Sequence, residues 1–262
     1  MTLAKGLSLL RAFQGSDMQL GNKELSDISG ISRPTVSRLV KTLTQLGYLR
    51  HVRASGKYTL GLGVLTLAYP MLAGLGIRHI ARPAMQDLAN AVGGQVSMGM
   101  RDGHSMVFIE SARSPRHKLT LPEIGATVPL FASSMGRACL AATDELDRGR
   151  LLAELRVSDP AAWSKHAASL EQTMSTFAEL GFACSYGEVR REMYACAAPL
   201  RARIDGEIVV MNCGVPADAT RAGQLETEIG PRLLATIRAV EGATGLWTSP
   251  SPRLGYHLGR TA

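Results

Sequence analysis

Gly30 is the residue that most restricts what this chain can fold into. It separates two short stretches, residues 21–29 and 33–46, whose apolar residues recur at helical spacing. Leu25 and Ile28 are expected to face inward from the first stretch. Val36, Leu39, Val40 and Leu43 lie on one face of the second, while Thr35, Ser37, Arg38, Lys41, Thr42 and Gln45 lie elsewhere. Ser32 can cap the second helix, and Gly30 can take the left-handed conformation that the turn requires. Leu25 and Ile31 bracket the turn as apolar anchors, and Ser26 is small where the helices approach. Ser29 stands where an apolar anchor is expected. Helix, glycine turn, helix is the outline of a helix-turn-helix. After Gly47, the segments 48–52 and 57–60 flank the turn signal Ala54-Ser55-Gly56, which predicts a strand-turn-strand wing. A first helix is expected over residues 2–14, with Leu3, Leu7, Leu10 and Phe13 on one face, stopped by Gly15-Ser16-Asp17. Together these elements predict a winged helix-turn-helix over residues 1–60.

The charge distribution says what such a domain would meet. The 262-residue chain carries a net charge of +7, and residues 1–60 account for +6 of it, with nine Lys and Arg against three acids. The remaining 202 residues are near neutral at +1. One small domain therefore favours a polyanion, with double-stranded DNA as the expected partner. The front of the second helix of the motif offers Ser32, Arg33, Thr35, Ser37 and Arg38, followed by Lys41. An arginine can donate two bonds to a guanine edge, and a hydroxyl can bond a base or a phosphate. Arg33, Thr35 and Ser37 are the expected base readers, with Arg38 and Lys41 as phosphate clamps. The wing offers Arg50, His51, Arg53 and Lys57 to the DNA backbone. Each residue taken singly is an ordinary solvated side chain. The inference rests on turn, wing and local charge together.

Other classes fit less well. The first residues lack the basic, apolar and small-residue regions of a secretory leader, so a cytoplasmic protein is expected. The four cysteines (Cys139, Cys184, Cys196 and Cys213) show no CxxC spacing, so neither a disulfide framework nor a metal site is indicated. Residues 58–77 are apolar for about the length of a membrane span. Pro70 and several glycines interrupt them, and a buried helix over 61–77 is the expected reading. Gly61-Leu62-Gly63 is half a dinucleotide fingerprint without its third glycine or following acid, and Ser133 and Ser134 have no Gly-x-Ser-x-Gly setting. His79, His104, His117 and His166 are scattered, and Glu188 and Glu192 pair only if that segment is helical. No cofactor is expected. The rivals to a regulated DNA-binding protein are a metabolic enzyme and an architectural DNA-binding protein without a ligand.

Beyond residue 77, helices are expected over 78–92, 134–142, 144–155, 166–180 and about 219–243. Hairpins are expected over 95–111 and 194–214, and a loose tail over 247–262. The chain resembles the IclR family of bacterial transcriptional regulators, through an ordered set of pieces over about residues 3–246. They are the helix-turn-helix from Glu24 to Leu39, the wing exit Lys57-Tyr58-Thr59-Leu60-Gly61, and Ala81-Arg82-Pro83. Then come Gly125 to Val128-Pro129-Leu130, Ala132-Ser133-Ser134-Met135-Gly136-Arg137-Ala138, and Gly181-Phe182 through Glu188 to Ala197-Ala198-Pro199. The resemblance implies an α+β chain. It would have an N-terminal winged helix, a linker helix over 61–77, and a GAF- or profilin-like α/β effector-binding domain over 78–246. It also implies homodimers, often paired into homotetramers, and a small-molecule carboxylate effector, with no membrane.

Effector contacts carried over by position are the backbone amides of Ser134 and Met135, then Ser185, Ala195, Met211 and Cys213. Ser185 stands where the family usually has Asp, and Ala195 where it usually has Cys. Met211 and Cys213 alternate on the last strand, where they would either share one pocket wall or pack in the core, as Met and free Cys commonly do. Glu188 keeps the family carboxylate, while Glu192 replaces a usual Gly. Those exchanges imply a less polar pocket and a bulkier effector, such as an aromatic or branched carboxylic acid.

Overall fold

The computed structural model describes residues 2–14, 19–116 and 123–245. The expected helix stop at Gly15-Ser16-Asp17, His117 and the 247–262 tail lie outside the described residues. The chain divides into two compact units, Met1–Leu75 and Gly76–Ala262.

The first unit contains α1 (Thr2–Arg11), α2 (Asn22–Ser29), α3 (Arg33–Gln45), β1 (Leu49–Val52), β2 (Lys57–Leu60) and α4 (Leu62–Gly74). Gly30 ends α2 at φ +67°, and its N–H donates to the Ser26 carbonyl (3.0 Å). Ser26 also donates its hydroxyl to the Ile31 carbonyl (2.6 Å), so the small residue expected at the close approach bonds across the turn. Ser29, the departure from an apolar anchor, is satisfied locally: its hydroxyl donates to Leu25 O (2.6 Å) and accepts from Ile31 N (3.3 Å). Leu9, Phe13, Leu20, Leu25, Ile31, Val36, Val40 and Leu49 form one small core. β1 and β2 pair antiparallel, from Leu49 opposite Leu60 to Val52 opposite Lys57, and make the wing.

One expectation about facing fails here. Ile28 is exposed rather than inward, as are Leu3 and Leu7, because α1 turns Gly6 and Leu9 to the core instead. The Gly61 and Gly63 spacing serves packing. A Cβ on either would come within 3 Å of the Gly47 carbonyl, and the Gly61 N–H donates to Tyr48 O (2.8 Å). The helix expected over 61–77 stops at Gly74, runs through Pro70, and buries none of its residues within the chain. Among the described residues, no single helix is long and apolar enough to cross a membrane.

The second unit contains α5 (Ile77–Val92), β3 (Gln95–Asp102), β4 (Ser105–Arg113), β5 (Thr127–Pro129), α6 (Ser134–Ala142), α7 (Glu145–Ser158), α8 (Pro160–Leu180), β6 (Ala183–Tyr186), β7 (Met193–Pro199), β8 (Val209–Pro216) and α9 (Gly230–Ala243). The strands form an antiparallel sheet in the order β5-β4-β3-β8-β7-β6. α6, α7 and α8 pack on one face, where Phe108, Met135, Ala183, Ala197 and Val210 share a core. α5 covers the other, where Arg78 and Arg82 reach Glu110 (3.0 and 2.6 Å). The short strands β5 and β6 carry too few residues to show alternation and were not expected. α8 begins six residues earlier than expected, because Asp159 caps it by accepting from Ala162 N (3.0 Å) and Pro160 follows at the first position. The last expected helix, 219–243, is interrupted. A π-helical turn, Leu225–Ile229, precedes α9.

The left-handed Gly30 gives a direct test of the motif. Gly30→Ala should cost about 1–2 kcal/mol, the usual penalty for a Cβ in that conformation, read as a lowered urea midpoint by circular dichroism.

Candidate functional site: a recognition helix and a cavity beside α6

α3 presents its polar side outward. Val36 and Val40 are buried and Leu39 and Leu43 half-buried, so Arg33, Ser37 and Lys41, spaced four apart, form an exposed stripe with Arg38 beside it. Ser32 and Thr35 stand at the start of the helix, and their hydroxyls lie 3.1 Å apart in hydrogen bond. Thr35 is half-buried, the least accessible of the expected base readers. Arg50, His51 and Arg53 are exposed on the wing. Lys57 has a different task. Its Nζ lies 2.8 Å from Glu24, whose carboxylate also accepts from Gly21 N (3.2 Å). That contact ties the wing to the start of α2 and holds the Glu24 carboxyl below its ordinary range. Lys57 thus belongs to the scaffold of the domain more than to its outer face.

In the second unit a cavity of about 280 Å³ opens between the sheet, the start of α6 and the loop between β6 and β7. Ser134, Met135, Ser185 and Ala195 line it, as expected. Met211 and Cys213 do not. Both are fully buried on the opposite face, where Met211 stands in register with Met98 and Cys213 with Val96 and Cys196. Asn212 and Gly214 line the cavity in their place. Adjacent strand residues point to opposite faces, so an offset of one along β8 exchanged the whole set. The wall is more polar than expected for that reason, with Gln95, Ser97 and Asn212 on it. Phe108, Val128, Met135, Val189 and Met193 keep much of the remainder apolar.

The start of α6 supplies donors. Ser133 caps it, accepting from Gly136 N (3.0 Å) and donating its hydroxyl to the Pro129 carbonyl (2.7 Å). The Ser133 N–H donates to the same carbonyl (3.2 Å). The amides of Ser134 and Met135 are left without an intrahelical acceptor, as the first turn of a helix requires. Partial positive charge gathers there, and Arg190 brings a guanidinium to the same cavity. It is the one ionisable side chain among the described lining residues, and it was not singled out from the sequence.

One buried arginine holds this arrangement. Arg137 on α6 is 1% exposed and donates to Phe131 O (3.1 Å), Cys184 O (3.2 Å), Ser169 Oγ (2.8 Å) and Glu188 Oε1 (2.9 Å). The other Glu188 oxygen accepts from Tyr186 N. The segment around Glu188 is a loop, not a helix, so Glu188 and Glu192 form no helical pair. Beyond Val189 lies a second cavity, lined by Glu188, His104, Phe131 and His166. His166 is 7% exposed, and its ring packs against Phe131 at 5.9 Å between centroids. The four cysteines are free, and burial pushes the thiols up, to about 11 for Cys139 and about 12 for Cys213.

Comparison with known proteins decides the family. Residues 70–241 match the model of the bacterial transcriptional regulator IclR C-terminal domain, and residues 2–53 match the IclR helix-turn-helix domain. The chain belongs to the IclR family of transcriptional regulators. An IclR family regulator from Brucella abortus is 39% identical, with a TM-score of 0.79 over 92% of this chain and 91% of that one. The regulator TsaQ1/TsaQ2 of Comamonas testosteroni is 28% identical over 242 residues, covering 92% of this chain and 87% of its own. An IclR homologue from Microbacterium hydrocarbonoxydans, solved in complex with 4-hydroxybenzoate, shares the fold at 20% identity. Its TM-score is 0.72, over 94% of this chain and all of that one. The relatives are named regulators, not enzymes. The scattered histidines and half fingerprint accordingly have no catalytic reading.

Two outcomes check the packing around the cavity. Arg137→Met should destabilise the second unit by about 3 kcal/mol in urea unfolding, the low end for breaking a buried pair, because Glu188 is partly exposed and can rehydrate. Burial holds the His166 imidazole below the usual histidine range, with Lys165 and Arg137 acting the same way and Glu188 opposing. The unfolded chain then binds that proton more readily than the folded one, so stability should fall as pH drops through about 6.5. His166→Phe should flatten that slope between about pH 7.5 and about pH 5.5.

Proposed function

We propose that this regulator binds a specific operator in double-stranded DNA and that a small carboxylic acid in the cavity beside α6 modulates that binding. The observation that carries the DNA half is the α3 stripe of Arg33, Ser37 and Lys41, exposed on the one unit that holds nearly all the excess positive charge. Arg33, Thr35 and Ser37 read base edges. Ser32 sits beside them at the helix start, Arg38 and Lys41 clamp phosphates, and Arg50 and Arg53 steady the wing on the backbone. Lys57 contributes charge there while tied to Glu24.

The effector half rests on the two open amides of Ser134 and Met135, on Arg190, and on an apolar lining that suits an aromatic or branched body. That a structurally similar family member holds 4-hydroxybenzoate accords with an acid of this kind. The cavity is open rather than filled by side chains, which favours this reading over a ligand-independent architectural protein. The protein acts in the cytoplasm as a homodimer, paired further into a homotetramer. The exposed apolar residues of α4, among them Leu62, Leu65, Leu67, Tyr69 and Met71, offer a surface for a second copy. Two reading heads then meet half-sites about one DNA turn, roughly 34 Å, apart. The acid shifts DNA affinity only by binding the two states of the dimer unequally.

Selection of bound sequences from a random duplex pool, repeated with a panel of organic acids, tests both halves. Arg38→Ala and Lys41→Ala should each weaken binding to every sequence alike and lower the salt slope by about 1. Arg33→Ala should instead relax preference at one base pair, by about 1–3 kcal/mol. Unchanged salt slopes in both clamp variants would refute their assignment.

A further inference from the structure

The second cavity, beyond Val189, holds a buried imidazole without a partner. It measures about 350 Å³, within the range of small-ligand sites, and Val189 is the one described residue that lines both cavities. His166 on α8 lines it, 7% exposed. Its ring packs against Phe131 and makes no hydrogen bond to a described residue, and neither nitrogen is sealed from solvent. A buried polar side chain left unbonded forfeits its hydration for nothing, and native folds hold few of them. Burial disfavours the charged ring, so one nitrogen accepts and the other donates. The imidazole alone therefore admits a partner of either kind.

The groups around it narrow the choice. Asp159, Ala162 and His166 fall at i, i+3 and i+7, on one side of α8 and its cap, and all three line the cavity. Helical side chains lean toward the N-terminus, so His166 leans over Ala162 toward Asp159, and the alanine leaves space between them. Asp159 Oδ1 caps α8 by accepting from Ala162 N (3.0 Å), while Oδ2 accepts from no described residue. Glu188 lines the cavity from the loop after β6, and no described lysine or arginine lines it. At the rim His104 lies 3.4 Å from Glu154, a third carboxylate. Two cations act on the imidazole from outside: Arg137, occupied by Glu188 and three other acceptors, and Lys165, which is exposed. An anionic ligand would face two carboxylates with no lining cation, whereas an ammonium would find an accepting nitrogen and an open carboxylate oxygen. Phe131, Leu155 and Val189 supply apolar surface. We propose that this cavity is a second ligand site, for a primary amine with a small apolar body, its ammonium lodged over Ala162 between His166 and Asp159. Such a site stands whether or not an acid occupies the cavity beside α6.

Calorimetric titration of the full chain at about pH 7.5, where an alkylamine is charged and His166 is not, tests this. The probes are phenethylamine against phenethyl alcohol, and isopentylamine against isopentyl alcohol. At least one amine should bind once per chain, about tenfold or more tightly than its alcohol, since the alcohol lacks the charge that the carboxylates favour. His166→Phe removes the acceptor and should weaken that amine about tenfold. Asp159→Asn keeps a side chain able to cap α8 and removes the charge, and should weaken it about threefold or more. Ala162→Leu fills the space between them and should abolish binding. Melting followed by circular dichroism shows which variants fold, and any one of the three that folds carries the test. Failure of both amines to bind, equal binding of amine and alcohol in both pairs, or amine affinity unchanged in the folded variants overturns the proposal.

Discussion

The guanidinium of Arg137 is the contact on which the second unit's cavity depends. It is buried on α6 and reaches four segments at once: the loop before α6, the end of β6, α8, and the loop that carries Val189 and Arg190. A buried charge is tolerated when it is paired and well bonded, and each guanidinium nitrogen of Arg137 has a partner, through Glu188 and three further acceptors. The same bonds fix the distance between the donor-rich start of α6 and the loop facing it. Glu188 therefore acts as a tether for a wall of the cavity.

The sheet gives that cavity its polar wall. Its two faces carry different residues of the same strands. One face is apolar and covered, with Met98, Met211, Cys213 and Val215 buried in it. The other keeps Gln95, Ser97, Asn212, Ala195 and Ser185 beside an open volume. Small residues at Ala195 and Gly214 leave the room, and polar residues line it around them. The family likeness covers the fold.

The first unit follows from more local causes. A short core of leucines, valines and Phe13 holds α1, α2 and α3 together, and Gly30 turns the chain between the last two. What remains outside α3 is polar because what lies inside is apolar, and Arg33, Arg38 and Lys41 make it cationic. The helix-turn-helix and its wing were accordingly legible from spacing and turn residues. Ile28, Leu3 and Leu7 were not, since a short helix has apolar residues on more than one face and periodicity alone does not say which one the neighbours cover. Lys57 read as one more wing cation, and only its proximity to Glu24 shows its structural task.

The amino-acid order by itself determined the helix-turn-helix, its wing and most of the longer segments, the charge division between the two units, and the residues that open α6. These depend on neighbours a few positions apart. Tertiary structure alone decided which face of β8 meets the cavity, because alternation groups Met211 with Cys213 and Asn212 with Gly214 without saying which pair is covered. It also decided the roles of Arg137, Glu188 and Arg190. Their partners come from distant parts of the chain, and a long-range ion pair leaves no periodic trace along it.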